Sequence, residues 1–288
     1  MNIGQGPATC NALRRSLLLG ALGWAAGLAR ASDDWTARLD ALLPARALLL
    51  GEQHDASEHQ RIARALVQTL AGRSVLAAVV LEMLPAGSSS GQLPRDSTEA
   101  AVQRALGWNE GGWPWAAYGP VVMAAVRAGV PVLGGNLAAQ QMRAQMTRIE
   151  LDSRLAAPAL AEQQQLMREG HCGLLPESQI APMARIQIAR DLSLAATLEA
   201  AVRQAGPQQL VLMLSGSVHA DKRLGVPAHL PPDLAVRSVR LLAGGQDGQG
   251  GQGAGQFDAH WPTAPAPPTD HCAALREHFR QRPPGPRP

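Results

Sequence analysis

The stretch Ala45-Arg46-Ala47-Leu48-Leu49-Leu50-Gly51-Glu52-Gln53-His54-Asp55 decides the fold class. It is a short, near-continuous apolar run that ends abruptly in charged and polar residues. Such a run is the pattern of a strand covered on both faces. The pattern returns three times. Val75–Leu81 runs into Glu82, Val130–Gly135 into Asn136, and Gln209–Ser215 into Gly216-Ser-Val-His219. Val236–Leu242 reads as a last strand. Between these lie segments of helical periodicity: His59–Gly72, Thr98–Leu106, Gly119–Ala128, Ala138–Leu151 and Glu177–Gln204. Alternating strands and helices predict an α/β fold, with a mostly parallel or mixed central sheet and helices on both faces.

In open sheets of this kind ligands bind beyond the carboxyl ends of the strands. Four strands deliver Glu52, His54, Glu82, Asn136 and His219 to that edge. A core strand has no structural need to finish in a carboxylate or an imidazole. Asp55 and Glu58, three apart, read more simply as a capping box for the next helix. His54-Asp-Ala-Ser-Glu-His59 is neither HExxH nor HxxEH, so zincin chemistry is not supported. On the longest helix, Gln187, Arg190 and Asp191 fall on neighbouring turns. Arg190 can pair with a ligand carboxylate or with one of the glutamates.

Aromatic residues form the second signal. Trp108, Trp113, Trp115 and Tyr118 lie within one Gly-rich stretch, and Tyr118 is the only tyrosine of the 288 residues. Large flat side chains in a loop there can wall a flat apolar ligand or pack over the core.

Residues 1–31 read as a signal peptide. Arg14-Arg15 precedes an apolar run, Leu17–Ala29, and Ala29-Arg30-Ala31 is a small-x-small cleavage site. The arginine pair also suits a twin-arginine leader. The run is too short to span a bilayer. The expectation is an exported, periplasmic protein. The leader holds three arginines and no acid, which accounts for the whole net charge of +3. The remainder is formally neutral, with Lys222 its only lysine. No basic stripe is available for a nucleic-acid partner. With 46% hydrophobic and 17% charged residues the chain can bury a core.

Two cysteines follow the leader, Cys172 and Cys272, each preceded by a histidine. An oxidising compartment permits a disulfide, which is the expectation carried forward; free thiols or a metal on the two His-Cys pairs are the alternatives. Residues 32–243 form the α/β domain. Residues 244–269 read as a low-complexity Gly/Gln/Pro linker, and 270–288 as a short helix and tail.

These residues resemble the ChaN-like haem-binding family of the Tiki/TraB/erythromycin-esterase superfamily. The resemblance rests on Leu50–Asp55, Leu81–Met83, Trp113–Tyr118, Val132–Leu137, His171–Glu177, Met183–Asp191 and Gly216–Ala220 with Gly225–Pro227. Two Gly-x-x-His motifs, at 51–54 and 216–219, match the paired motifs of the superfamily. The resemblance implies haem as cofactor, a role in haem or iron uptake, and haem held near a homodimer interface. Tyr118 would then offer a phenolate to ferric iron, with Trp113, Trp115, Arg190 and Asn136 around the haem and His54 or His219 as alternative ligands. Members are often lipoproteins. Here Cys10 lies before the apolar run, so no membrane anchor is expected. The competing reading is a metal-dependent hydrolase. His54 and His219 would ligate a divalent ion, and Glu52 or Glu82 would act as ligand or base. A third is a partner-binding scaffold with a relic crevice.

Overall fold

A computed structural model describes residues 36–245 and 255–281. The leader and the Gly/Gln-rich part of the tail lie outside the described residues. The chain divides into two compact units, Met1–Pro44 and Ala45–Pro288. In the first, residues 36–40 are helical. Everything below concerns the second.

Six strands form one sheet: β1 (Ala47–Glu52), β2 (Leu76–Pro85), β3 (Val132–Asn136), β4 (Leu210–Gly216), β5 (Val236–Ala243) and β6 (Ala259–Thr263). Their order is β3-β2-β4-β1-β5-β6, and every strand pairing is parallel. The expected mixture of directions is thus resolved as parallel throughout. Helices α1 (Ser57–Gly72), α2 (Glu99–Leu106), α3 (Trp115–Ala128), α4 (Ala139–Gln145), α5 (Ala157–Gly170), α6 (Glu177–Gln204) and α7 (His271–Gln281) accompany it.

Strand alternation sorts the core into two layers. Ala47 and Leu49 of β1, Ala78 and Val80 of β2, and Val211 and Met213 of β4 pack under Leu194, Ala195, Leu198, Ala201 and Val202 of α6. Leu48 and Leu50 point the other way, towards α1, which packs on α3. All four β1 residues from Ala47 to Leu50 are fully buried. Each leucine so buried stabilises by about 1.5–3 kcal/mol, which is why the strand tolerates no polar residue until it leaves the sheet.

β4 returns between β1 and β2, so the winding direction reverses there. Ligand crevices of doubly wound sheets lie at the carboxyl edge of that reversal. Two glycines let the segments meet. A Cβ on Gly51 would sit 2.9 Å from the Ser217 backbone, and one on Gly216 would sit 3.0 Å from the His54 imidazole. Each Gly-x-x-His motif therefore makes room for the other.

Several expectations are corrected. The capping box does not form: the cap position is Ala56, with no side-chain bond. Asp55 instead accepts from Gln53 and Thr269, and Glu58 accepts from the Ala264 amide. α3 opens at Trp115 rather than Gly119, which moves Trp115 and Tyr118 from a loop onto a helix. Gly119 allows this, because the Trp115 ring lies where its Cβ would be. The helix expected over 138–151 breaks into α4 and a 3-10 turn at Ile149–Arg154. The stretch read as a linker carries β6, whose Trp261 is buried against the sheet edge. α5 had no counterpart in the sequence reading. Cys172 and Cys272 form the expected disulfide.

Candidate functional site

The carboxyl edge gathers residues from both layers. Glu52 shares the β1 face of Leu48 and Leu50, so its carboxylate enters the α1/α3 layer. There Oε2 accepts from Gln60 Nε2 of α1 at 2.7 Å, and Oε1 accepts from the Tyr118 hydroxyl of α3 at 2.7 Å. Glu82 shares the β2 face of Ala78 and Val80 and enters the α6 layer. Its Oε1 receives Arg190 Nη2 at 2.5 Å, and its Oε2 receives the Gly216 amide at 2.6 Å. Both carboxylates are almost wholly buried, at 2% and 3% exposure. Buried charge is tolerated only when it is paired and hydrogen-bonded, and each carboxylate meets that condition.

α6 supplies the second layer by extending its apolar stripe past the sheet. Leu198, Ala195, Leu194 and then Asp191 and Ile188 lie on one face, all buried. Asp191 therefore stands where another leucine would fit. His219 explains it: Nδ1 donates to Asp191 Oδ1 at 2.5 Å, and Nε2 faces Glu82 Oε1 at 3.4 Å. Burial opposes a charge on His219, but Asp191 and Glu82 outweigh it and lift its pKa to about 9. Burial would also raise the Glu82 pKa; His219, Arg190 and His54 reverse this and hold it well below the usual carboxylate range. Asn136 braces the pair, accepting from Arg190 Nε at 3.0 Å and donating to the Glu82 carbonyl at 2.9 Å. Gln187 accepts from Arg190 Nη1 and lies 3.0 Å from the His219 ring.

His54 lies between the layers. Its Nδ1 donates to Glu52 Oε1 at 2.8 Å, and its Nε2 is 3.9 Å from Glu82 Oε2. Its side chain is 39% exposed, against 4% for His219. Burial disfavours its charge, yet the bond to Glu52 and the charge of Glu82 raise its pKa above the ordinary value. Trp113 meets the imidazole edge-on at 4.8 Å.

The edge opens into a cleft of about 970 Å³. Glu52, His54, Glu82, Arg190 and His219 line it, together with Leu166 and Met167 of α5 and Thr269, His271 and Ala274. Trp113, Trp115, Tyr118 and Asn136 are not among its lining residues. The Trp115 indole donates to Glu99 at 2.8 Å, facing α2. The Tyr118 hydroxyl is buried and committed to Glu52, and burial together with that carboxylate pushes its pKa far up. A phenolate there would first have to lose a strongly held proton. Arg190 makes the internal pair with a glutamate. Gln60 was not foreseen: a glutamine amid the apolar stripe of α1 was the available signal.

A parallel sheet with paired imidazoles and carboxylates at its reversal point defines an α/β ligand-binding or acid–base site. The chain belongs to the family of haem-binding uptake proteins of the Tiki superfamily typified by ChaN, which it matches over residues 38–230. The fold is similar to that of ChaN from Campylobacter jejuni, described as cofacial haem binding. The TM-score is 0.61 and the identity 23%, covering 73% of this chain and 86% of that one. Weaker likenesses are an erythromycin esterase mutant, EreC, in its open conformation (TM-score 0.43, 14% identity, covering 69% of this chain and 70% of that one), and the type III effector HopBA1 (0.44, 14%, 76% and 88%). No curated protein sequence matches the chain.

Proposed function

We propose that the protein binds haem in this cleft and serves haem uptake or handling in the periplasm, reached by export on the leader at residues 1–31. One observation carries the reading. His54 lines a cleft of about 970 Å³, the upper end of the usual range for small-molecule sites, and has its Nδ1–H pinned by a buried carboxylate, so Nε2 is the ring nitrogen it can offer there. A carboxylate hydrogen-bonded to one ring nitrogen is a common way to orient an imidazole for a metal. The cleft combines this donor with apolar surface from Leu166, Met167 and Ala274, so the residues present fit a flat apolar macrocycle. Haem, when bound, would supply an iron centre that His54 would hold. Glu52 fixes the ring of His54, Tyr118 and Gln60 satisfy Glu52, and Trp113 packs edge-on against the imidazole from outside the lining of the cleft. Among the described residues no helix is long and apolar enough to cross a membrane. Cofacial haem binding, named for the Campylobacter protein, supports a homodimer in which two such clefts face each other.

The test is haem titration of the exported, disulfide-bonded protein. Wild type should show a saturable Soret change. His54→Ala should shift or abolish it, and Tyr118→Phe should leave the ligand field unchanged. Because iron competes with a proton at Nε2, affinity should rise with pH through the raised His54 pKa. A Soret band that responds to Tyr118→Phe and ignores His54→Ala would overturn the ligand assignment.

A hydrolytic reading is favoured by one feature, the two carboxylate–imidazole pairs, Glu52–His54 and Asp191–His219, flanking Glu82. In it His54 Nε2 takes a proton from water. Its metal-dependent form finds little support. Glu82 is already neutralised by Arg190, and among the described residues no three or more His, Cys, Asp or Glu are arranged to hold an ion.

A further inference from the structure

The family match ends at residue 230, yet the chain continues past it to complete the cleft. After β6 the backbone doubles back over the carboxyl edge. The Ala264 amide donates to Glu58 Oε2 at 2.6 Å, and the Thr269 hydroxyl donates to Asp55 Oδ2 at 2.9 Å. His271 Nε2 bonds the Gly170 carbonyl at 3.1 Å, and Cys272 is covalently joined to Cys172 just beyond α5. These ties fall on Asp55 and Glu58 around the start of α1 and on the end of α5, and Asp55 and Gly170 both line the cleft. Thr269, Asp270, His271 and Ala274 thereby join His54 in lining the cleft.

What holds this wall is unlike what holds the core. None of the α7 side chains whose burial is described is buried; Cys272, Leu275 and Phe279 are half-covered and the others exposed. Its apolar positions, Cys272, Leu275 and Phe279, are covered only in part. Among the ties that hold it are polar bonds at the surface, each contributing little net stability, and one covalent bond. Cys172 and Cys272 are themselves only half-buried, within reach of a small dithiol.

We propose that Ala264–Gln281 is a disulfide-retained wall of the ligand cleft, and that cleaving Cys172–Cys272 opens the cleft while the sheet stays folded. The proposal rests on the haem reading for the identity of the ligand, a flat tetrapyrrole, but not for the motion itself. A dithiol reductant supplies the chemistry. Its thiolate attacks one sulfur, a mixed disulfide forms, and the second thiol resolves it. The dithiol is oxidised to a disulfide while Cys172 and Cys272 take up two electrons and two protons as thiols. With the bond intact, ligand exchange must await rupture of the polar ties with α7 tethered in place. With it cut, the wall departs as a unit.

The experiment uses the full exported chain in three forms: oxidised, reduced by a dithiol, and Cys172→Ser/Cys272→Ser. Acylation of His54 by diethyl pyrocarbonate, read by mass spectrometry on haem-free protein, should be several-fold faster in both opened forms. Far-ultraviolet circular dichroism should show the sheet retained. Transfer of haem from the Ser/Ser variant to excess apomyoglobin should be roughly tenfold faster than from the oxidised protein, since changes at one interface appear mainly in the off-rate. Equal acylation of His54 in all three forms overturns the proposal, as does faster acylation with unchanged haem transfer. If the oxidised protein shows no saturable Soret change, the haem reading fails, and the acylation result still decides whether the wall opens.

Discussion

Arg190 is the group whose loss the site should feel most. Its side chain is 20% exposed and pairs with a Glu82 side chain that is 3% exposed, while also donating to Asn136 and Gln187. Arg190→Met keeps much of the side-chain volume and removes every donor. Glu82 would retain the Gly216 amide and the more distant His219, and Asn136 Oδ1 and Gln187 Oε1 would lose their donor. Removing one member of a buried ion pair costs about 3–5 kcal/mol, because the remaining charge is left uncompensated. The partial exposure of Arg190 places the expectation at the lower end, about 3 kcal/mol. For a unit of this size that corresponds to a fall in Tm of roughly 6–12 °C. The assay is urea unfolding of the oxidised, haem-free protein at neutral pH, in a double-mutant cycle with Glu82→Gln. If the argument is right, the double variant recovers much of the loss, since a neutral amide needs no counter-ion. Additive losses, or a single-variant cost under about 1 kcal/mol, would show that the pair behaves as a surface salt bridge and that the buried-charge reasoning is wrong.

Two further outcomes are expected. Gly51→Ala should lower stability by about 1–3 kcal/mol in thermal melts, the cost of overpacking, because its Cβ meets backbone at 2.9 Å; unchanged melting would show that the 3-10 turn at Ser217 can retreat freely. His59 is buried, accepting from the Gln53 amide and bonded to Thr263, and burial lowers its pKa to about 4. The unfolded chain takes up a proton near pH 6.5 that the folded chain refuses until about pH 4, so stability is lost as the pH drops through that window. His59→Gln should flatten that acid limb in denaturant titrations, and an identical limb would place its cause elsewhere.

The strands were legible in the sequence because both faces of each are buried, which leaves an uninterrupted apolar run whose end is unmistakable. For the same reason Glu52, Glu82 and Asn136 announced themselves as residues at an edge. α5 was not legible: within it only Gln163 is buried, so no apolar stripe marks it. β6 was hidden by its length and by Pro262, with Trp261 its one fully buried residue. Tyr118 was noticed for its rarity, but its partner lies 66 residues away and no local pattern connects them. The role of Asp191 was readable in principle, as an acid on the continuation of a leucine stripe.

Glu52 and Glu82 leave the sheet on opposite faces, and His54 touches one and neighbours the other. The imidazole therefore sits astride the seam between the α1/α3 layer and the α6 layer. Sliding of the α1/α3 layer past the sheet would carry Gln60 and Tyr118 away from Glu52, and sliding of the α6 layer would carry Arg190 away from Glu82, so each layer acts on the ring through a different carboxylate. An imidazole that lines the cleft is thus also a gauge of how the two layers are aligned, and a partner that tightened or loosened one layer would act on the cleft without entering it.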